Sequence, residues 1–573
     1  MIARMDKKAV AQVLEQIAAF MELAGENPFR VRAFRTAART IGALPGDLAA
    51  AIADGTLAGT RGIGPATLEL VTELVTTGRS SMLEELREHV PPGLVEMLQI
   101  SGLGVAKIRQ IHEALGIDSI PELEAAALDG RLASLPRFGK KTSENILKGI
   151  AFLRKTTEFR LSHHAREEAE GLREALERLP GVLQAHVAGD VRRRTEIVRD
   201  LTLVLVAEVP PADLFKRLAE VPGVTEIAGQ DERRVTLRFV GGTAAQIVVT
   251  PPVNAGTVLV QATGSEAHLA QLTALAAARG FSLTGAALWR GSEFVPTPDE
   301  ATFYRRLGLP EIPPELREGM GELDATSVPS LLERRDLKGF LHCHTIYSDG
   351  TNTVEELALA CRDAGYEYIG ITDHSRSASY AGGLCADDIL RQHDEIDAVN
   401  AKLTGIRVLK GVEADILADG SLDYDADMLA RFDFVIGSIH TRFNMDEQEM
   451  TARMLAAMDN PFLTIIGHPT GRLLLSRDPY DVDLDAVFAK AAATGVALEI
   501  NADPHRLDLD WRHARRAAEH GVLISIGADA HNIASMNNVD YGVAMARKSW
   551  LTRDRVLNAQ PVEQFVERAG RRR

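Results

Sequence analysis

Cysteine is nearly absent. Cys343, Cys361 and Cys385 are the three among 573 residues, and no Cys-x-x-Cys occurs. That excludes a disulfide framework and a cysteine-based zinc finger, and it is the usage expected of a cytoplasmic protein. No apolar run approaches the roughly 20 residues that a membrane-spanning helix needs, so no membrane partner is expected. The opening stretch, Met5-Asp6-Lys7-Lys8, is charged and amphipathic and lacks the apolar core of a secretory signal. A basic surplus is missing as well, since the net charge is −16. Residues 1–200 are balanced, with 27 basic and 27 acidic side chains, whereas residues 335–573 carry 26 against 37. The acid therefore gathers where cations could neutralise it, and the total neither supports nor excludes a nucleic-acid partner.

What is present is a chain long enough for three or four domains, with the 45 % hydrophobic and 25 % charged content of a soluble globular protein. The first 160 residues read as short helices, with Val10, Val13, Leu14, Ile17 and Phe20 spaced three and four apart. Three similar turns separate the helices: Gly62-Ile63-Gly64-Pro65-Ala66, Gly102-Leu103-Gly104-Val105-Ala106, and Leu135-Pro136-Arg137-Phe138-Gly139-Lys140-Lys141. In each, glycines (Gly62, Gly64, Gly102, Gly104, Gly139) let backbone N–H groups at a helix start face an anion, and Lys107 and Lys140 add charge. One such turn is an ordinary helix connection. Three in one helical region predict sequence-independent gripping of a phosphate backbone, hence a DNA partner.

This stretch, including Gly25-Glu26-Asn27-Pro28-Phe29-Arg30-Val31-Arg32-Ala33, resembles the helix-hairpin-helix domain that opens family-X DNA polymerases. Relatives with 5′-deoxyribose-phosphate lyase activity carry a Schiff-base lysine in the helix after the first hairpin. Here that helix begins Thr67-Leu68-Glu69-Leu70-Val71 and holds none, so lyase chemistry is not expected.

An α+β pattern follows, with a helix expected over 165–179, strands over 182–188, 201–206, 235–240 and 246–250, and a helix over 266–278. Gly189-Asp190-Val191-Arg192-Arg193, then Asp200-Leu201-Thr202-Leu203, resembles the nucleotidyltransferase palm, which in family X reads Gly-Ser-x-Arg-Arg and Asp-x-Asp with a third Asp on a neighbouring strand. Aligning a 3′-hydroxyl with a triphosphate takes two divalent ions, and hard cations want oxyanion ligands. This chain keeps Asp200 but has Thr202 and Gln246 in place of the other two carboxylates, and Asp190 stands where the resemblance implies a serine. Thr263-Gly264-Ser265 persists, while Gln261-Ala262 replaces the aromatic pair that meets the incoming sugar. The expectation is a retained palm with Asp200 vestigial, no complete site for Mg²⁺ or Mn²⁺, and polymerisation lost or weak. Retained polymerisation would need replacement carboxylates, for which Asp190 and Glu196 are the candidates. Arg192 and Arg193, with Arg194, read either as phosphate contacts or as a solvated turn. Residues 297–335, rich in Pro, Glu and Gly, read as a connecting segment.

From 335 onward, strands alternate with helices, which predicts a parallel barrel with its site at the strand C-terminal ends. Strands are expected over 339–344, 368–372, 407–413, 434–439, 464–468, 497–501 and 523–527. The polar residues fall at those ends: Leu341-His342-Cys343-His344 and Ser348-Asp349-Gly350, Thr372-Asp373-His374, Gly411-Val412-Glu413, Ser438-Ile439-His440, Gly467-His468-Pro469 and Ala528-Asp529-Ala530-His531. In a regular strand His342 and His344 share a face and Cys343 points to the core. His393, His505, His513 and His520 lie elsewhere and read as structural or exposed. Lys410, Asn501 and Arg506 are candidate phosphate contacts near the rim, with helix and turn roles equally open.

The ordered set His342, His344, Asp349, His374, Glu413, His440, His468, Asp529 and His531 is similar, position for position, to the ligand signature of the PHP (polymerase and histidinol phosphatase) domain. Bacterial family-X polymerases fuse a palm to such a domain, so the resemblance spans essentially the whole chain. It implies a distorted (β/α)₇ barrel holding three metals. His342, His344, Glu413 and Asp529 would take the first, Glu413 with His440 and His468 the second, and Asp349, His374 and His531 the third. Mixed imidazole and carboxylate suits Mn²⁺, Zn²⁺ or Fe²⁺. The expected domains are 1–85 and 86–160 (helical, with hairpins), 161–310 (palm and thumb), 311–335 (linker) and 336–573 (barrel). The expected function is a monomeric DNA-repair enzyme, a 3′→5′ exonuclease on gapped or 3′-ended DNA. The alternatives are an active gap-filling polymerase, and a DNA-binding scaffold whose barrel hydrolyses a small phosphate ester.

Overall fold

The computed structural model describes residues 7–42, 44, 48–60, 62–77, 80, 82–83, 85–86, 90–100, 102–218, 221, 223–239, 243–324 and 326–570. Met5, Asp6 and Val240 of the sequence reading lie outside them. Contacts divide the chain into two units, Met1–Glu158 and Phe159–Arg573. No helix of the described residues is long and apolar enough to cross a membrane.

The first unit is helical. Lys7–Leu23 and Pro28–Gly42 pack together, burying Val10, Leu14, Ile17, Val31, Phe34 and Ile41. The three turns repeat one hydrogen-bond pattern. The N–H of Ile63, Leu103 and Phe138 each donates three residues back, to Thr60, Ile100 and Leu135 (3.0–3.1 Å). Each turn then opens a helix whose first closing bond goes to Gly64, Gly104 or Gly139 (2.9–3.1 Å). Gly62 has φ +100° and a Cβ there would sit 2.9 Å from Thr40 Oγ1, so only glycine fits. The first turn is the poorer anion site. Thr67 Oγ1 accepts the Gly64 N–H (2.9 Å), and Pro65 has no donor to offer. Lys107 folds back to donate to Gly102 O (2.9 Å).

In the second unit, five strands order as Val182–Val187, Leu201–Ala207, Ala244–Thr250, Arg234–Phe239 and Val224–Gln230. Helix Ser162–Glu177 lays Ala165, Ala169, Leu172 and Leu176 on this sheet. The edge strand Val224–Gln230 escapes the sequence reading because it is almost wholly exposed and carries no apolar alternation. The connecting segment expected over 297–335 is instead part of a core. It contains helix Glu300–Arg306 and buries Phe303, Tyr304, Leu309, Ile312, Leu316 and Leu323 with Leu272 and Leu288. Arg317, fully buried, donates to Ile312 O (2.9 Å) and Glu300 Oε1 (2.6 Å). Its Pro and Gly content marks turns between buried anchors rather than a tether.

The C-terminal strands are all parallel, in the order Arg407–Lys410, Tyr368–Ile371, Gly339–Cys343, Ile524–Ala530, Ala497–Asn501, Leu463–Ile466, Val435–Ser438, Glu413–Asp415. The single strand expected over 407–413 is broken at Gly411-Val412, so its two halves form the two ends of the sheet. A Cβ on Gly411 would meet Ile371 O and the Phe434 ring at 2.6 Å, which is why the chain turns there on glycine. The break joins the ends: Glu413 N donates to Asp373 O (3.2 Å) and Ser375 N to Glu413 O (3.0 Å). Seven strand positions therefore close into a distorted (β/α)₇ barrel, with helices such as Val354–Asp363, Ala386–Lys402 and Trp511–Glu519 outside.

Candidate metal centre

The site forms at the C-terminal ends of the barrel strands. Regular alternation does not place His342 and His344. His342 has φ +61°, the register with Ile524–Ala530 slips between Leu341 and Cys343, and His344 lies past the strand end. This bulge re-aims the imidazole. Both rings still converge, with Nε2 of His342 and His344 at 3.6 and 3.2 Å from Asp529 Oδ1. His468 (φ +27°) and Asp529 (φ +51°) are also left-handed, so strain gathers at this site. Cys343 points into the core, its thiol donating to Gly370 O (3.3 Å) and pushed up by burial.

All nine residues of the sequence-derived set come together. Four clusters, each with ligand atoms within 4.8 Å of one another, are His344–Asp349–His374–His531, His342–His344–Asp529, His342–Glu413–His468 and His374–Glu413–His440. Glu413 is the hub. Its oxygens lie 3.3 Å from His342, 2.9 Å from His374, 3.4 Å from His440 and 3.0 Å from His468. Against the opposing effect of burial, His342, His374 and His440 hold its carboxyl well below the usual range. Burial likewise opposes the charge on His440, but Glu413 and Asp415 lift its imidazole to about 10, and Asp349 and Asp529 lift His531 to about 9.

These residues fit divalent cations. His342 Nε2, His344 Nε2, His374 Nδ1 and Glu413 Oε2 are buried and have no hydrogen-bond partner, yet they face one space. Buried donor atoms that converge on one space without hydrogen-bond partners are costly unless a cation takes them.

Several residues that hold the set in place escaped the sequence reading. Glu499 accepts from His342 Nδ1 (2.6 Å) and from the His468 backbone N–H (2.7 Å), and Asp415 accepts from His440 Nδ1 (2.5 Å). Asp373 takes the Thr345 N–H and Gln392 (2.8 and 2.6 Å). Their signal was available: an acid inside an otherwise apolar strand must have a buried partner. Of the three suggested phosphate contacts, Asn501 instead donates to Asp529 and Glu499 (3.1 and 3.2 Å), and Lys410 is held by Asp397 (2.8 Å). Arg506 stays at the mouth, its Nε 3.7 Å from Asp529 Oδ2.

In the palm, Thr202 and Gln246 are direct neighbours on paired strands, and Asp200 is exposed just ahead of them. Thr202 and Gln246 border a cavity of about 550 Å³, with Gln261, Ala262, Asp231, Glu232, Arg233 and Arg234. Neither replacement carboxylate is available: Asp190 pairs with Arg193, and buried Glu196 takes Arg472 and Arg512 (3.6 and 3.3 Å). Arg192 and Arg193 are neither free phosphate contacts nor a solvated turn. Arg192 forks onto Glu300 (2.9 and 2.6 Å), and Arg193 reaches Glu318 (3.1 Å) and Thr263 O (2.7 Å). Glutamates from the following segment, Glu300 buried and Glu318 half-buried, have claimed both guanidinium groups.

Family models match the chain in four places: a helix-hairpin-helix domain at residues 5–80, a SAM-like helix-hairpin-helix tandem at 94–151, a DNA polymerase beta thumb at 258–318 and a PHP domain at 341–503. The chain is 38 % identical over 572 residues to the DNA polymerase/3′-5′ exonuclease PolX of Bacillus subtilis (strain 168), covering 98 % of this chain and 100 % of that one. It belongs to the family-X polymerases that carry a PHP domain. This family-X chain is also 29 % identical over 228 residues to a probable phosphatase of Thermoanaerobacter sp. (strain X514), covering 38 % of this chain and 88 % of that one. A probable phosphatase of Caldicellulosiruptor bescii is 31 % identical over 208 residues, 35 % of this chain and 82 % of its own. The matched PHP span ends before Asp529 and His531. Strand Ile524–Ala530, paired with Gly339–Cys343, brings these last two residues of the family-X site beside the first.

Proposed function

We propose that this protein is a metal-dependent 3′→5′ exonuclease acting on DNA in repair, with related processing of 3′ ends or abasic sites, and that its palm no longer polymerises. One contrast carries the reading. The barrel gathers nine ligand-type residues around shared, unpartnered lone pairs, whereas the palm retains Asp200 beside Thr202 and Gln246. A second relative-based reading, active polymerisation with exonuclease, keeps support from the likeness to PolX.

His342, His344, Glu413 and Asp529 would hold one ion, Glu413, His440 and His468 a second, and Asp349, His374 and His531 a third, with Mn²⁺, Zn²⁺ or Fe²⁺ all suited. Bound there, the ions would supply a water-derived nucleophile near neutral pH and neutralise charge on a phosphoryl group. Glu499 and Asp415 fix the tautomers of His342 and His440, so each offers its other nitrogen to the centre. Arg506 is placed to hold a non-bridging phosphate oxygen beside Asp529. The hairpins at 102–106 and 135–141 retain their helix-start donors and would grip the backbone of gapped or 3′-ended DNA without reading bases. We assign these tasks to residues 1–85 and 86–160 (hairpins), 161–310 (palm and thumb) and 336–573 (barrel), with 311–335 packed as part of the thumb-side core, acting as a monomer.

The test is a 5′-labelled gapped duplex with Mn²⁺, with and without dNTPs, run beside a His342→Ala/His344→Ala variant. Shortening that the variant abolishes, with no extension, is expected. Extension that survives the variant would refute the inactive palm.

A further inference from the structure

A second cavity, about 240 Å³, lies on the palm near the barrel and is lined by Arg166, Arg173, Arg192, Arg194, His186 and Glu170 among others. Arg173 is paired with Glu170 and Glu177 (2.7 and 2.8 Å), and Arg192 with Glu300. The side chains of Arg166 and Arg194 have no hydrogen-bond or ion-pair partner among the described residues. The acids near them are engaged elsewhere: Glu315 with Arg547 (2.5 Å) and Asp540 with Arg334 (3.1 Å). Arg194 is also held at φ +58°, a backbone conformation that favours glycine. A partly buried arginine kept there against both strain and like charge points to an absent anion.

From this pocket a line of polar groups leads to the metal centre. His163, one turn before Arg166 on helix Ser162–Glu177, has its ring 6.3 Å from Tyr541 and 5.2 Å from His505. His505 adjoins Arg506, whose Nε is 3.7 Å from Asp529. The cavity is smaller than the roughly 300 Å³ at which small-molecule pockets begin, which suits a single phosphate of a chain better than a nucleotide.

We propose that Arg166 and Arg194 seat a backbone phosphate of the DNA strand whose 3′ end lies in the metal centre, with His163, His505 and Arg506 following the phosphates between. The palm would then position the strand for the barrel. This rests on the nuclease reading for its end point, but not for its binding.

The test compares the full-length metal-loaded protein with an Arg166→Gln/Arg194→Gly variant, in which glycine relieves the strained backbone. Binding of a fluorescent twelve-nucleotide strand with 3′-terminal phosphorothioates is followed by anisotropy across a salt series. Losing the seat of one phosphate should lower the slope of log K against log salt by about 0.7 for a single strand. With Mn²⁺, KM for an unmodified strand should rise about tenfold at unchanged kcat, and hydrolysis of bis-p-nitrophenyl phosphate should not change. An unchanged salt slope would overturn the proposal, as would an equal loss on the small diester, which would signal a structural effect. A loss confined to dATP binding would overturn the assignment to a strand. If the wild-type protein binds with the steeper slope but leaves DNA uncut, the seat stands and the nuclease reading fails.

Discussion

Nδ1 of His342 stands 2.6 Å from Oε1 of Glu499, both groups fully buried, and the second oxygen of that carboxylate takes the backbone N–H of His468 at 2.7 Å. One side chain thus orients two candidate ligands from different strands. Glu499→Gln should leave the fold intact and cost 10–100-fold in metal affinity or turnover. Metal content after dialysis, measured beside DNA hydrolysis, checks this, and a variant that keeps its metal and its rate would contradict it.

Metal uptake should expel protons. With His440 at about 10 and His531 at about 9, both above the ordinary imidazole value, both rings are cations in the metal-free protein at pH 7.5. A ligand must be neutral, so loading releases about two protons there, and affinity rises with pH until it passes those values. Calorimetry of Mn²⁺ binding in buffers of different ionisation enthalpy gives the proton number directly, and a value near zero at pH 7.5 would refute this.

Glu300 accepts from Arg192 and from the fully buried Arg317. Glu300→Ala leaves that guanidinium without its counter-ion and should destabilise the second unit by about 3 kcal/mol. Urea unfolding reads the loss, and a midpoint unchanged from the wild type would show that the clasp carries no weight.

Asp200→Ala should change DNA shortening by less than twofold, because the carboxylate is exposed and lacks its two partners. Asp349→Ala, which removes a member of the cluster with His344, His374 and His531, should abolish it. Equal effects of the two substitutions would reassign the chemistry.

The barrel and its nine-residue set were legible because polar residues at strand ends stand out against apolar strands. The hairpins were legible because Gly62 and Gly102 recur at turns that demand positive φ. The bulge at His342 was not, since a left-handed histidine leaves no mark in residue order. Arg192 and Arg193 misled for a different reason. Their partners, Glu300 and Glu318, lie more than a hundred residues away, in a segment whose composition reads as a tether. The edge strand Val224–Gln230 was invisible because neither of its faces is buried.

The break at Gly411-Val412 makes the hub carboxylate and the seam of the ring one place. Glu413 joins the two ends of the sheet with its backbone and gathers five histidines with its side chain. Ions bound there would act as a fastener across that seam. Starving the protein of metal would then do more than silence it. It would leave the cylinder held at that joint by a few backbone bonds, so the same shortage that stops the chemistry would also prepare the chain for unfolding.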